Sequence, residues 1–224
     1  MYIGIIGRLN DDKITYNKEI IDIIYKYNCL PICISLQFID KELNKVKQLI
    51  DMCDGFILQG GNEFYNSDLE IIKYLYDNDI PTLGICLGMQ TMASLFNGKM
   101  DKIDNHYSLD KYVHTIYIND KSKLFNIINK NKILVNSRHK YYITNTDLSV
   151  SSYSDVIESI EDNNKKFFIG VQWHPESIMD ENSEKLFKNF FFSIKWNFFH
   201  IFCKKYLSKV KKYDILKEHF KLDL

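Results

Sequence analysis

The sequence predicts an α/β fold in which a mostly parallel β-sheet is covered on both faces by helices. Short apolar runs, typical of buried strands, alternate with segments in which apolar residues recur every three or four positions, as they do in helices. The connections between these segments are short. Glycine-bearing turns follow two of the strand-like runs, and the working groups of parallel sheets lie at the carboxyl ends of strands. These observations together favour a parallel sheet with its functional site along one edge.

The first half of the chain supplies strands and helices in alternation. Tyr2–Ile6 predicts a buried strand, and Ile20, Ile23 and Ile24 have helical spacing within a segment from Tyr16 to Tyr27. The elements expected next are a strand at 31–35, a helix around 43–50, a strand at 55–58, a helix at 69–76 and a strand at 82–85.

Beyond Gly98 the pattern becomes richer in strands. The strand-like segments lie at 113–118, 132–135, 148–153, 156–160 and 167–172, and turn-forming Asn and Asp residues separate them. No Pro/Gly/Ser-rich linker interrupts the chain, so we expect these strands to join the same central sheet.

The composition excludes several classes of protein. A length of 224 residues with 46% hydrophobic content supports a sizeable core, and a net charge of +0 argues against a general nucleic-acid binder. The start of the sequence lacks the features of a signal peptide, and no apolar run is long enough to span a bilayer. We therefore expect a cytoplasmic protein that binds neither nucleic acid nor a membrane.

The cysteines are typical of reduced thiols. Five are present, an odd number without a CxxC pair: Cys29, Cys33, Cys53, Cys86 and Cys203. No His or Cys stands at metal-site spacing from Cys29 or Cys33, so both are interpreted as core residues.

The sequence of residues 81–98 predicts a strand that turns abruptly into a helix at Cys86. Gly84 and Gly88 flank the cysteine in a G-x-C-x-G arrangement, and the absence of their side chains permits a strained turn. Such a nucleophile elbow presents the reactive side chain at a helix N-terminus, where the helix dipole favours a thiolate. The alternative is a core cysteine in a buried strand.

A histidine and a glutamate follow the last strand-like segment, in the sequence Trp-His-Pro-Glu. A nucleophilic cysteine needs a base to take its proton and a third group to orient that base. Cys86, His174 and Glu176 supply these three chemistries and predict a catalytic triad. Alternatively, Glu176 only favours the dipole at the start of the following helix.

The turn Gln59–Asn62 closes another apolar strand. Backbone N–H groups of a glycine turn, together with the N–H of Leu87, can stabilise a tetrahedral oxyanion. The alternative is an ordinary turn from a strand into a loop.

Three motifs in the order LQGGN, GICLGMQ and GVQWHPE resemble the class I glutamine amidotransferase superfamily, over about residues 1–192. Within it, the chain looks most like the γ-glutamyl hydrolases of the peptidase C26 group. The grounds are the opening IGIIGR, the pair His106 and His114, and Val135–His139, which is similar to the VNS-x-H segment of that group. Lys140 and Tyr141 stand where that group has a second His or Gln.

The resemblance implies a flavodoxin-like three-layer sandwich whose cysteine attacks a γ-glutamyl amide, without a cofactor or metal. Cys86 matches the nucleophile, His174 the base and Glu176 its orienting group. Gly61 and Leu87 match the oxyanion donors, with Gly60 adjoining. The residues expected to bind the small-molecule substrate are Gln90, Asn62, Arg138 and His139. By itself Gln90 is also compatible with a solvated helix position, and His106 and His114 are interpreted as structural histidines.

We expect residues 1–192 to form the catalytic domain and residues 193–224 an amphipathic basic helical extension. The extension carries eight lysines against three acidic residues, and its apolar positions include Phe198, Phe202, Leu207 and Val210. Three hypotheses stay open: the apolar stripe packs on the domain itself, forms a homodimer or partner contact, or touches an anionic surface.

Three functions are compatible with the sequence. The first is a free-standing cysteine hydrolase that cleaves the γ-glutamyl amide of a small compound and releases glutamate. The second is the glutaminase subunit of an amidotransferase, which delivers ammonia to a separate synthase partner. The third is a catalytically silent binding protein on the same fold, against which the intact triad counts.

Overall fold

The elements of the fold follow the alternation predicted from the sequence. The computed structural model describes residues 1–35, 46–104 and 106–202, with side chains up to residue 195. The strands are β1 Tyr2–Ile6, β2 Arg8–Asn10, β3 Lys13–Thr15, β4 Leu30–Ile34, β5 Gly55–Leu58, β6 Thr82–Ile85, β7 Lys99–Lys102, β8 His114–Ile118, β9 Lys132–Val135, β10 Tyr141–Asn145, β11 Ser149–Tyr153, β12 Ile157–Glu161 and β13 Phe168–Val171. The helices are α1 Lys18–Lys26, α2 Asn66–Asp77, α3 Leu87–Leu95, α4 Lys123–Ile128, α5 Pro175–Ile178 and α6 Glu181–Phe202.

A nine-stranded sheet in the order β4-β1-β5-β6-β13-β12-β11-β8-β9 forms the centre of the molecule. The strands from β4 to β13 pair in parallel, and β12, β11, β8 and β9 extend the sheet by antiparallel pairing. The carboxyl ends of the parallel strands therefore lie along one edge, and the residues that follow them meet there.

Helices cover both faces of the sheet. On one face, β1 and β6 pack with apolar residues of α1, α4 and α6, including Ile24, Leu124 and Phe187. On the other face, β5 and β13 pack with α2 and α3, including Ile72 and Met92. The three-layer α/β sandwich expected from the sequence is confirmed.

Three features of the fold were not predicted. The hairpin of β2 and β3, the antiparallel pair of β7 and β10, and helix α4 all lie in segments expected to be loops. Every residue of β7 is exposed, so no apolar pattern marks this strand, and its pairing with β10 defines it. Helix α4 begins at an N-cap serine, since Ser122 Oγ accepts a hydrogen bond of 2.9 Å from the Phe125 N–H.

The helix expected around 43–50 is described only from residue 46, and residues 46–51 are helical. Val46 and Ile50 are both buried.

Helix α6 continues through the expected domain boundary at 192–193. It buries Phe187, Phe190, Phe191 and Ile194 against the first face of the sheet. The side chains from Phe198 onward, and with them the apolar stripe expected in the extension, lie outside the described residues. The division into 1–192 and 193–224 stays a prediction. None of the helices within the described ranges combines the length and apolar character needed to cross a membrane.

Candidate active site

Cys86 occupies a tight turn between β6 and α3. Its backbone φ of 51° and ψ of −107° lie in a region that non-glycine residues rarely adopt. A Cβ atom added to Gly84 would lie 2.4 Å from Met92 Sδ, and one added to Gly88 would lie 2.1 Å from the Leu58 carbonyl oxygen. Both flanking glycines are thus required by close packing, and the predicted strand–turn–helix is confirmed.

The sulfur of Cys86 faces polar groups although the residue is only 6% exposed. Gln172, directly after β13, donates a hydrogen bond from Nε2 to Cys86 Sγ at 3.6 Å. The imidazole of His174 lies beside the same side chain, since a Cβ atom on Gly60 would approach both of them, and the two groups interact electrostatically. The thiol and the imidazole therefore meet at the carboxyl edge of the parallel strands.

Groups on three different segments fix the position of His174, directly or through Glu176. Its Nδ1 lies 2.8 Å from Glu176 Oε1, and Asn17 Nδ2 donates to the same oxygen at 3.3 Å. The backbone of His174 is fixed by Asn136, which accepts from the His174 N–H at 2.8 Å and donates to the His174 carbonyl at 3.0 Å. Glu176 also lies in the first turn of α5. Its carboxylate therefore contacts the His174 ring from the N-terminal end of that helix.

The electrostatic surroundings of His174 favour its protonated form. Burial of the ring acts to lower its pKa, but the charge of Glu176, the interaction with Cys86 and the hydrogen bond with Glu176 outweigh burial and raise the pKa of His174 to about 10. A protonated imidazole beside a sulfur at a helix N-terminus is the environment in which cysteine thiolates form.

The predicted glycine turn approaches both members of the pair. A Cβ atom on Gly60 would lie 2.8 Å from His174 Cε1 and 3.6 Å from Cys86 Cβ. A Cβ atom on Gly61 would lie 3.1 Å from Leu87 Cδ2. The turn thus lies directly against the elbow, and the role of Gly60, Gly61 and Leu87 in binding an oxyanion stays a prediction.

A cleft of about 330 Å³ opens beside this turn. It is lined by the hairpin of β2 and β3 and its flanks, and by the glycine turn: Arg8, Leu9, Asn10, Thr15, Tyr16, Asn17, Gln59, Gly60, Gly61 and Asn62. Asn62, expected to bind substrate, is exposed on this cleft.

Arg8 is a cleft residue that sequence reasoning missed. Its Nη1 forms a 2.7 Å ion pair with Asp68 Oδ1, while its buried Nε and Nη2 have no hydrogen-bond partner within the described residues. Its position just after β1 is a signal that could have identified it, because β1 ends on the same edge as Cys86.

Three of the residues expected to bind substrate do not line this cleft. Gln90 is buried, and its Nε2 donates to the Tyr141 carbonyl at 2.9 Å and to Gln172 Oε1 at 3.1 Å. Arg138 donates from Nη1 to Ser177 Oγ at 2.9 Å. His139 is buried and packs against the ring of His106, and burial lowers its pKa to about 4.

Sequence reasoning also missed Gln172 and Asn17 as site residues and gave no role to Asn136. Gln172 directly precedes the Trp-His-Pro-Glu motif, and Asn136 lies within the segment Val135–His139, so both stand next to residues that the sequence predicts to be functional. Asn17 is the N-cap of α1 and meets Glu176 only through the fold.

Comparisons with known proteins identify the family of this chain. The profile of the family described as "Glutamine amidotransferase class-I" matches residues 9–194. GMP synthase (glutamine-hydrolyzing) of Francisella tularensis subsp. tularensis strain WY96-3418 is 32% identical over 145 residues, which cover 62% of this chain and 27% of that protein. The matched region thus spans about a quarter of the length of such relatives.

Solved structures share the fold at lower sequence identity. A protein from Thermoplasma acidophilum, described as a putative GMP synthase subunit, superposes with a TM-score of 0.68 at 20% identity, covering 88% of this chain and 95% of that one. The glutaminase domain of Trypanosoma brucei CTPS, solved with bound acivicin, gives a TM-score of 0.65 at 16% identity, covering 85% and 93%. Since the family profile spans most of the sequence, this chain belongs to the class I glutamine amidotransferase family.

Proposed function

We propose that this chain is a glutaminase that hydrolyses the side-chain amide of glutamine and delivers the ammonia to a synthase partner. The observation that carries the proposal is the assembly of Cys86, His174 and Glu176 beside the glycine turn. The GMP synthase relatives and the glutaminase fold of the structural neighbours support glutamine as the substrate.

The geometry supports a two-step acyl transfer. The thiolate of Cys86 attacks the amide carbon, and the N–H groups of Leu87 and Gly61 stabilise the oxyanion. The protonated His174 gives its proton to the leaving nitrogen, and ammonia departs from a γ-glutamyl thioester. Neutral His174 then takes a proton from water, the hydroxide attacks the thioester, and glutamate leaves as the thiolate reforms. Glu176 orients the imidazole throughout.

The cleft provides a place for the amino-acid end of the substrate. Its volume of about 330 Å³ lies within the usual range for small-molecule sites. Arg8 lines this cleft and is the candidate partner for the α-carboxylate of glutamine, because a guanidinium binds carboxylates through paired hydrogen bonds.

A free-standing γ-glutamyl hydrolase is the second candidate. It is favoured by the segment Val135–His139, which is similar to the VNS-x-H segment of the γ-glutamyl hydrolases. Asn136 of this segment holds the backbone of His174, so the segment is part of the framework of the site.

Release of glutamate and ammonia separates the candidates. The purified chain is assayed with glutamine and with a panel of γ-glutamyl amines, alone and with each synthase chain that co-purifies with it. Glutamine hydrolysis that a synthase stimulates, and that Cys86→Ser abolishes, is the expected result. The matched control is Cys33→Ser, because Cys33 is exposed and lies on β4 at the edge of the sheet.

Two other outcomes would overturn the proposal. Faster hydrolysis of a γ-glutamyl amine than of glutamine, unaffected by any synthase, would establish the second candidate. Absence of turnover with every compound, alone and with a synthase, would leave a silent binding protein.

A further inference from the structure

A cluster of three histidines around a buried glutamate lies outside the cleft. The histidine cluster consists of His106, His114, His139 and Glu158. The ring centroid of His106 is 4.9 Å from that of His114 and 4.7 Å from that of His139. Glu158 is 0% exposed and His139 is 4% exposed. The proposed reaction uses neither Glu158 nor the three imidazoles.

Several polar atoms of the histidine cluster are buried without a partner. Within the described part of the chain, no hydrogen bond reaches His106 Nε2, His139 Nε2 or Glu158 Oε2. A buried polar atom left unpaired costs about 1–3 kcal/mol, so three of them close together require an explanation. One ligand-type atom from each of these residues lies within 4.8 Å of the other two.

The opposite sides of two of these groups are already anchored. His139 Nδ1 lies 3.0 Å from the Tyr141 carbonyl oxygen, and because a carbonyl only accepts, Nδ1 carries the proton and Nε2 keeps its lone pair. Glu158 Oε1 lies 2.7 Å from His114 Nε2 and accepts a hydrogen bond of 2.8 Å from Ser154 Oγ. Histidine and carboxylate ligands of metal ions are oriented in this way by groups behind them.

We propose that His106, His139 and Glu158 bind one divalent transition-metal ion, and that Zn²⁺ suits this donor set best. Two imidazole nitrogens and one carboxylate oxygen form a common Zn²⁺ ligand set, with bonds of about 2.0–2.2 Å and a further position for water. Tetrahedral bonds of that length separate the donors by roughly 3.4 Å, so ring rotations and a contraction of up to about 1.4 Å close the set on an ion.

The bound ion would join three segments that are distant in sequence. His106 precedes β8, His139 lies between β9 and β10, and Glu158 belongs to β12. The segment that contains His139 also contains Asn136, which holds the His174 backbone. The ion therefore has a structural role in the framework behind the triad and takes no part in the proposed reaction.

A series of hydrogen bonds also links the histidine cluster to the side chain of Cys86. The Tyr141 carbonyl accepts hydrogen bonds from both His139 and Gln90, and Gln90 also donates to the side chain of Gln172. Gln172 in turn donates to the sulfur of Cys86. An ion on His139 would thus stabilise the groups that support the thiol.

The test measures Zn²⁺ binding to the full chain after treatment with a chelator, in a Cys86→Ser background that removes the reactive thiol. We expect one Zn²⁺ per chain, a higher melting temperature with Zn²⁺, and an X-ray absorption spectrum of nitrogen and oxygen ligands. His106→Gln and Glu158→Gln are each expected to weaken binding at least 100-fold. His219→Gln removes one histidine from elsewhere in the sequence and is expected to bind as the parent does.

Three results would each overturn the proposal. The first is the absence of stoichiometric Zn²⁺ binding by the parent chain, which needs no variant to be informative. The second is sulfur in the ligand shell, which would place the ion on a cysteine. The third is an affinity that His106→Gln and Glu158→Gln leave unchanged, or that His219→Gln reduces equally. All three readouts are independent of amide hydrolysis, so a failed glutaminase assay does not affect them.

Discussion

At the scale of single residues, the site depends on a close approach of backbone to side chains. Gly60 leaves room for the His174 ring, and Gly84 and Gly88 let β6 turn into α3 at Cys86. The strained φ of Cys86 is stabilised by hydrogen bonds on both sides, from its N–H to the Val171 carbonyl at 2.8 Å and from the Gln90 N–H to its carbonyl at 3.1 Å. The position of the sulfur is therefore fixed by the backbone.

Gly60→Ala tests this close approach. The new methyl group would lie 2.8 Å from His174 Cε1, so the ring must move by several tenths of an ångström. Because catalysis is sensitive to displacements of about 1 Å, we expect turnover of glutamine to fall on the order of 10²-fold while the fold is retained. Steady-state kinetics and thermal unfolding measure the two effects. Unchanged turnover would show that the turn is farther from the reacting groups than the structure places it.

The raised pKa of His174 leads to a second prediction about a single residue, which concerns how stability depends on pH. Between the ordinary value of 6.5 and about 10, the folded chain holds a proton on His174 that the unfolded chain has lost. This contribution to stability is therefore complete below pH 6.5 and is lost as pH rises toward 10, by at most about 1.4 kcal/mol per pH unit.

The pH dependence is measured by chemical denaturation at several pH values from neutral to about 9, with and without His174→Gln. The same comparison is repeated with Cys86→Ser in both proteins, where the effect is expected to be smaller because Cys86 contributes to the raised pKa of His174. We expect the stability advantage of His174 to shrink as pH rises. An advantage that grows over this range would contradict a raised pKa.

At the scale of elements, the site is assembled by strand ends and by the segment between β9 and β10. The strand ends could be predicted from the sequence, because apolar runs followed by Cys86 and by Trp173–His174 mark where parallel strands stop. The strand β7 could not be predicted, because all of its residues are exposed and it has no apolar pattern. Only its pairing with β10 defines it. The positions of Gln90 and His139 depend on contacts with residues distant in sequence, Tyr141 and His106 respectively, which local sequence does not encode.

Asn136→Ala tests the segment between β9 and β10. The substitution removes both hydrogen bonds that hold the His174 backbone, at 2.8 and 3.0 Å. A loss of about 1–3 kcal/mol in positioning corresponds to roughly a 5- to 150-fold fall in kcat, with KM for glutamine little changed.

The control for Asn136→Ala is Asn145→Ala. Asn145 is exposed on β10, and within the described residues its side chain bonds to Thr144 and to the Asn97 carbonyl, away from His174. Equal effects of the two substitutions on kcat would argue against a positioning role for Asn136.

At the scale of the whole molecule, α6 closes one face of the sandwich. Phe190 is fully buried and contacts the rings of Phe167 and Phe191, with centroids 5.4 and 5.1 Å apart. The three-layer fold could be predicted because its layers follow from the alternation of strand and helix patterns. The surroundings of the apolar stripe expected in residues 193–224 could not, because such a stripe is compatible with packing on the domain, on a partner or on an anionic surface.

Phe190→Ala measures the contribution of α6 to stability. Removal of a buried aromatic ring is expected to lower the free energy of unfolding by about 3–5 kcal/mol. Tyr25→Ala on α1 is the matched control, since Tyr25 is 54% exposed and should cost far less. Similar losses in the two variants, measured by chemical denaturation, would mean that α6 does not belong to the core.

The central claim is that Cys86 forms a covalent bond with the carbonyl carbon of a γ-glutamyl substrate, and covalent trapping tests it most directly. The purified chain is treated with a glutamine analogue that carries an electrophilic group in place of the amide, and the modified residue is located by peptide mass spectrometry. We expect one adduct per chain, on Cys86, that excess glutamine prevents and that Cys86→Ser abolishes. Modification at another cysteine, or at Cys86 without protection by glutamine, would contradict the account.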